Sequence, residues 1–282
     1  MCYDYNRLKN EIELLTKNYD IIEAFSIGQS VMDKNIPCLK LGFGKKKLFL
    51  SAAYHGLEYL TSAFLMKFLT KAAEEADNEP LNRLLQKVTI YAVPMVNPDG
   101  VDIAIHGLDI TNPHHRRLIS MVGIHSFNTV WQANARGVDI NHNFDANWQM
   151  ITDYPLPSKY GGEYAESEPE TRAITEFARK EKFDMLIAFH SQGREIYYDF
   201  DGMESKRSEE IAEKLAEESG YAVCRPTGTA AFGGCKDWFI KEFGKEGFTV
   251  EIGSGENPLP MSDLDNIYEE NKKLILRAME EI

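Results

Sequence analysis

The sequence predicts an α/β fold, a sheet covered by helices, in one domain. Short apolar, β-branched runs alternate with longer amphipathic stretches along the whole chain. Hydrophobic residues make up 43% of 282 positions, ample material for a sizeable core. No internal repeat, low-complexity tract or long linker divides the sequence, so residues 1–282 read as a single domain.

In chain order, the pattern predicts a helix over 5–17, strands over 20–27, 37–42 and 47–53, and a helix over 57–77. In that last stretch Leu60, Phe64, Leu65, Phe68 and Leu69 fall at helical spacing. A strand over 88–94 follows. Residues 97–162 carry Pro, Gly, Asn and His and read as mostly irregular; a loop that long inside a compact domain usually has a functional reason. Beyond it the pattern gives a helix over 168–182, strands over 184–190 and 195–200, helices over 204–219 and 236–243, a strand over 248–252 and a helix over 262–282. The charged 204–219 stretch reads as a solvated face with i,i+4 pairs.

Charge narrows the partners. The net charge is −13, from 44 acidic and 31 basic residues, which disfavours nucleic acid or an anionic membrane surface. Cys2, Cys38, Cys224 and Cys235 form no CxxC pair and have irregular spacing, so reduced thiols are expected. The N-terminal text MCYDYNRLKN has no apolar signal core, and no run of 18 apolar residues occurs. The expectation is a cytoplasmic protein.

The residues that point to chemistry are few. His55 and Glu58 stand three apart where a strand gives way to a helix, a spacing that lets two side chains point the same way. His190 ends an apolar run, and Glu251 lies in the text FTVEIGSGEN near the end of another. Three such residues at three strand ends fit one site, because ligands in open α/β sheets bind beyond the carboxyl ends of strands. Two imidazoles and a carboxylate are a ligand set for catalytic zinc that leaves a position open for water. A further carboxylate is what that water needs as its base. The bland alternative is a chance His-x-x-Glu and a hydrogen-bonded core histidine.

The surrounding text resembles the zinc carboxypeptidase (metallocarboxypeptidase) family. The matches run in order: HGLE (55–58), NPDGVD (97–102), RGVDINHNF (136–144), SEPET (167–171), FHS (189–191), GGCKDW (233–238) and FTVEI (248–252). The resemblance implies a mixed, twisted eight-stranded sheet flanked by helices. It implies that His55, Glu58 and His190 hold one Zn²⁺ per chain, that Glu251 is general base and proton shuttle, and that Asp139 accepts a hydrogen bond from His55. From the residues alone, Asp139 reads as a turn or capping residue. The texts WQANARGVDIN (131–141), HSQG (190–193), GGCKDWFI (233–240) and GSGENPL (253–259) are similar to those of bacterial γ-D-glutamyl-L-diamino acid peptidases. That subfamily implies a small, muropeptide-like peptide substrate containing γ-D-glutamyl-diaminopimelate.

The chain departs from the family pattern at three places. Family members read Asp-x-Asn-Arg, where Asn-Arg grips a C-terminal carboxylate; here Asn141 remains and His142 replaces the arginine. Imidazole lacks the bidentate fork and is charged only at lower pH. A family arginine that steadies the oxyanion appears as Gln132, and Arg136 is either its substitute or a solvated loop residue. The family's mobile tyrosine falls at Thr229, so no tyrosine is assigned to catalysis. Lys236 falls where the family sets its side-chain pocket; it either favours a carboxylate-bearing substrate side chain or begins a helix and faces water. His106, His114, His115 and His125 read as loop surface, and Trp131, Trp148 and Trp238 as packing residues. The expected activity is zinc-dependent hydrolysis of a peptidoglycan-derived peptide. The rivals are an ordinary carboxypeptidase, an inactive binding protein on the same fold, and a deacylase of small N-acyl amino acids.

Overall fold

The computed structural model describes residues 2–282 apart from 110, 117 and 123–125. Helix α1 (Tyr5–Asn18) is capped by Asp4, whose carboxylate accepts from the Arg7 amide. Strands β1 (Ile22–Gln29), β2 (Asn35–Leu41) and β3 (Lys46–Ala52) lead into a 3-10 turn (Gly56–Glu58) and α2 (Tyr59–Glu74). Next come α3 (Leu81–Leu85), β4 (Val88–Val93), α4 (Pro98–His106) and the single-turn helices α5 (Pro113–Arg116), α6 (Ile119–Val122) and α7 (Phe127–Val130). The rest is α8 (Pro169–Glu181), β5 (Met185–His190), β6 (Glu195–Tyr197), α9 (Ser208–Ser219), β7 (Ala222–Cys224), α10 (Cys235–Phe243), β8 (Glu246–Glu251) and α11 (Leu264–Glu281).

The strands form one mixed eight-stranded sheet in the order β1-β2-β4-β3-β5-β8-β6-β7. Its centre is parallel, with β3 beside β4 and β5, and β5 beside β8. Strands β2 and β6 join that centre antiparallel. Every residue of β4 and β5 is buried, as expected for parallel strands covered on both faces. Alternation sorts the side chains. Leu48 and Leu50 pack with α1, α2, α9 and α11, while Phe49 faces Phe177 of α8 and stacks on Phe183 at 4.6 Å.

The expected helix and strand spans recur with shifted ends. Two expectations need correction. Residues 97–162 are less irregular than their composition suggests, because α4 lies within them. Asn97 caps it, accepting from the Gly100 amide at 2.9 Å, and Pro98 takes the first turn, so a turn-like text starts a helix. The eighth strand, β7, spans only three residues and gave no sequence signal of its own. Among the described residues, no helix is long and apolar enough to cross a membrane.

Candidate metal centre

The carboxyl ends of β3, β5 and β8 lie side by side. Strand β5 pairs with β3 on one flank and with β8 on the other, and His190 is the direct register partner of Glu251. The chain leaves β3 through Ala53, whose backbone is left-handed (φ 51°), and arrives at His55. Gly56 follows, and only glycine fits there. A Cβ would lie 2.3 Å from the Gly100 carbonyl oxygen and 2.9 Å from that of Trp131. The amides of Gly56 and Leu57 donate to the carbonyls of Gln132 and Trp131 at 3.0 Å. Asn97 Nδ2 donates to the Tyr54 carbonyl at 2.9 Å. The His-Gly-Leu-Glu segment is thereby clamped between α4 and the 131–133 segment.

The donor atoms of His55, Glu58 and His190 all lie within 4.8 Å of one another. His55 Nδ1 is 2.8 Å from Glu58 Oε1, and His190 Nδ1 is 3.1 Å from Glu58 Oε2. The other ring nitrogen of His55 faces Asp139 Oδ1 at 3.2 Å, and Asp139 Oδ2 accepts from the Lys159 amide at 2.9 Å. If Nε2–H donates to Asp139, the Nδ1 lone pair faces a carboxylate. Two acceptors in that contact need a proton or a cation between them. The donor set therefore fits zinc. The buried Nε2 of His190 has no hydrogen-bond partner, and Tyr54 stacks on that ring at 5.2 Å.

Charges at the centre are strongly coupled. Burial raises the Glu58 pKa, but His55 and His190 overcome it and hold the carboxyl at about 2. Burial likewise works against an ionised Asp139, yet His55 and His142 hold it well below the usual carboxylate range. Burial opposes a charged His55, while Glu58 and Asp139 lift its pKa well above the ordinary value. Glu251, half-buried, is pushed well above its usual pKa by burial and then by the charge of Glu58. A cation at the ligand cluster would pull it back.

The remaining expected residues divide. Asn141 Oδ1 accepts from the Cys235 amide at 3.1 Å, which ties the 139–142 turn to the start of α10. His142 lies beside Phe232, ring centroids 6.4 Å apart, and its buried Nδ1 has no hydrogen-bond partner. Lys236 does not face water. It is 4% exposed, donates to the Asp199 carbonyl oxygen and pairs with Asp237. Arg136 is exposed and lies 3.5 Å from Glu168. It borders a cavity of about 470 Å³ with Tyr160, Tyr164 and Ser167, and none of the three metal-ligand candidates lines that cavity.

His115 is a correction. It is buried, its Nδ1 accepts from the Asp109 amide at 2.8 Å and its Nε2 lies 3.3 Å from Met32 Sδ. His106 is on the surface beside Asp4, and His125 lies outside the described residues. Trp131 and Trp238 are buried, while Trp148 is half-buried with its indole N–H on the Gly161 carbonyl. Sequence reasoning missed Tyr54, although it directly precedes His55. Glu195 was not singled out either; strand pairing sets it directly opposite Glu251.

The zinc carboxypeptidase family model matches residues 8–274, and the chain belongs to that family of zinc metallopeptidases. It is 35% identical to gamma-D-glutamyl-L-diamino acid endopeptidase 1 of Lysinibacillus sphaericus, over 98% of this chain and 72% of that protein. Thrombin activatable fibrinolysis inhibitor is similar in fold, with a TM-score of 0.83 at 22% identity over 100% of this chain and 74% of that one. A murein-tripeptide amidase of Escherichia coli O157 is also similar in fold, with a TM-score of 0.59 at 20% identity over 91% of each chain.

Proposed function

We propose that this zinc metallopeptidase hydrolyses the amide between a γ-D-glutamyl residue and a diamino acid in peptidoglycan-derived peptides. One observation carries the reading: three donor residues converge within 4.8 Å, with Glu251 in register beside His190. The 35% identical relative is named for that bond.

His55, Glu58 and His190 would hold the zinc. When bound, the ion acidifies a water to a pKa of about 7 and polarises a carbonyl. Asp139 fixes the His55 ring by holding Nε2–H, which leaves Nδ1 for the metal. Glu251 takes the proton of the attacking water and gives it to the leaving amine nitrogen. Its semi-buried position keeps it from competing solvent while leaving the carboxylate within reach of the ligand cluster.

Asn141 and His142 lie where the 139–142 turn meets α10, while the Lys236 ammonium is held by Asp199 and Asp237. At His142 an imidazole stands in place of the family's arginine fork, which weakens any grip on a free C-terminal carboxylate. That favours a peptide chosen by its diamino acid over an ordinary C-terminal substrate. Arg136 is engaged by Glu168 and takes no part in this reading. The test is a substrate panel of L-Ala-γ-D-Glu-diaminopimelate beside hippuryl amino acids. Faster turnover of the hippuryl set would point to an ordinary carboxypeptidase, and no zinc-dependent turnover of either would point to a binding protein.

A further inference from the structure

Glu195 has no part in the reaction so far. Strand β6 runs antiparallel to β8, and Glu195 stands directly across from Glu251. Directly opposed residues share a face of the sheet. On the other flank of Glu251 stands His190. His190, Glu251 and Glu195 therefore form a row across three neighbouring strands, while Phe189, Val250 and Ile196 point into the core on the opposite face.

Two carboxylates facing each other across strands are unfavourable without compensation. None is provided. Among the described residues, no lysine, arginine or histidine nitrogen pairs with Glu195 within 4.0 Å. The adjacent cation, Arg194, pairs with Glu270 at 3.0 Å and lies over the Tyr221 ring. The groups that do engage Glu195 are neutral: the Tyr197 phenol donates to its Oε2, and the Cys224 thiol stands near. These fix the carboxylate without neutralising it, and a carboxylate accepts about four hydrogen bonds. Gly193 keeps the adjoining space free of a side chain, since a Cβ there would lie 3.3 Å from both Glu195 Oε2 and Glu251 Cβ.

Glu251 protonates the leaving nitrogen, so the wall beside it faces the leaving half of the substrate. Under the proposed function, on which this step rests, that half is a diamino acid, whose second amine is cationic at neutral pH. We propose that Glu195 is a specificity-determining residue that receives the side-chain ammonium of the leaving diamino acid.

The test uses zinc-loaded enzyme and three peptides, L-Ala-γ-D-Glu followed by lysine, norleucine or Nε-acetyl-lysine. Lysine isolates the ammonium from the extra carboxylate of diaminopimelate. The wild type is expected to favour lysine over each neutral analogue by about tenfold or more in kcat/KM, as charge-assisted hydrogen bonds imply. Glu195→Gln should bring the lysine-to-norleucine ratio close to one at full zinc content, and Glu195→Asp should keep part of it. An unchanged ratio in Glu195→Gln, or an equal loss on both peptides, overturns the assignment. If that variant does not fold, the wild-type comparison decides, and equal rates on lysine and Nε-acetyl-lysine overturn it. Turnover without preference removes only this assignment; no turnover of any peptide removes the proposed function and the assignment together.

Discussion

Under the proposed function, Glu251 is the residue whose loss should separate binding from chemistry. It is no member of the three-donor cluster, so Glu251→Gln should retain zinc. Turnover should fall by about 10²–10⁴-fold, the usual contribution of a positioned general base. Metal analysis and a rate assay on one preparation check both halves, and unimpaired turnover would remove Glu251 from the reaction. Glu170 supports a second prediction, on stability. It is fully buried, accepts from the Val31 amide at 3.0 Å, and burial lifts its pKa to about 7. The folded chain therefore holds this proton up to about pH 7, whereas the unfolded chain releases it near pH 4.5. Between those values the folded state binds more protons, so stability from this group falls as pH rises. The loss is at most about 3.5 kcal/mol, at 1.4 kcal/mol per pH unit. Urea unfolding of wild type and Glu170→Gln at pH 5 and pH 8 reads it, and the variant should show a smaller decline. Parallel declines would show that Glu170 stays ionised. Much of the metal centre was legible at this scale, because His55, Glu58, His190 and Glu251 each sit in a short recognisable text. Lys236 was not, because its burial depends on Asp199 and Asp237 rather than on its neighbours in sequence.

At the level of elements, the site depends on how α4 meets the turn after β3. Asn97 is buried and serves both. Its Oδ1 caps α4, and its Nδ2 donates to the carbonyls of Tyr54, Gln132 and Ala133. Asn97→Ala removes the cap, at about 1 kcal/mol, and strands buried carbonyls at about 1–3 kcal/mol. The expected loss is about 2–4 kcal/mol of unfolding free energy, with weaker zinc binding because Tyr54 adjoins His55. Denaturant unfolding and a zinc titration measure the two effects. A destabilised variant with unaltered zinc affinity would show that the 54–58 turn holds itself. The same element explains a misreading. Asn-Pro-Asp-Gly is turn text by composition, yet here the Asn is the N-cap of a helix and the Pro its first residue. Strand β7 was illegible for a different reason, since three residues carry no period and its pairing with β6 is long-range. The central strands were legible because burial on both faces leaves continuous apolar runs.

For the molecule as a whole, zinc should reinforce a junction that strand pairing between β3 and β5 and the Ser191 amide on Glu58 already make. Glu58 and His190 are 132 residues apart, and the ion would bridge the turn after β3 to the end of β5. A metal that binds the folded state alone stabilises it by mass action, about 4 kcal/mol when free zinc is a thousandfold above Kd. In a chain of this size, 1 kcal/mol moves the melting temperature by roughly 2–4 °C, so stripping the metal should lower it by about 8–16 °C. The contacts support the direction: His55 Nδ1 and Glu58 Oε1 stand 2.8 Å apart, and with Nε2–H on Asp139 two acceptors face each other there, which a cation between them would relieve. Thermal melts with chelator, then with zinc restored, provide the measurement. Glu251→Gln should show the same shift as wild type, while His190→Ala should show little or none. Identical melting with and without metal in the wild type would mean that the three side chains bind no ion strongly enough to matter to the fold, and the proposed hydrolysis would lose its physical basis.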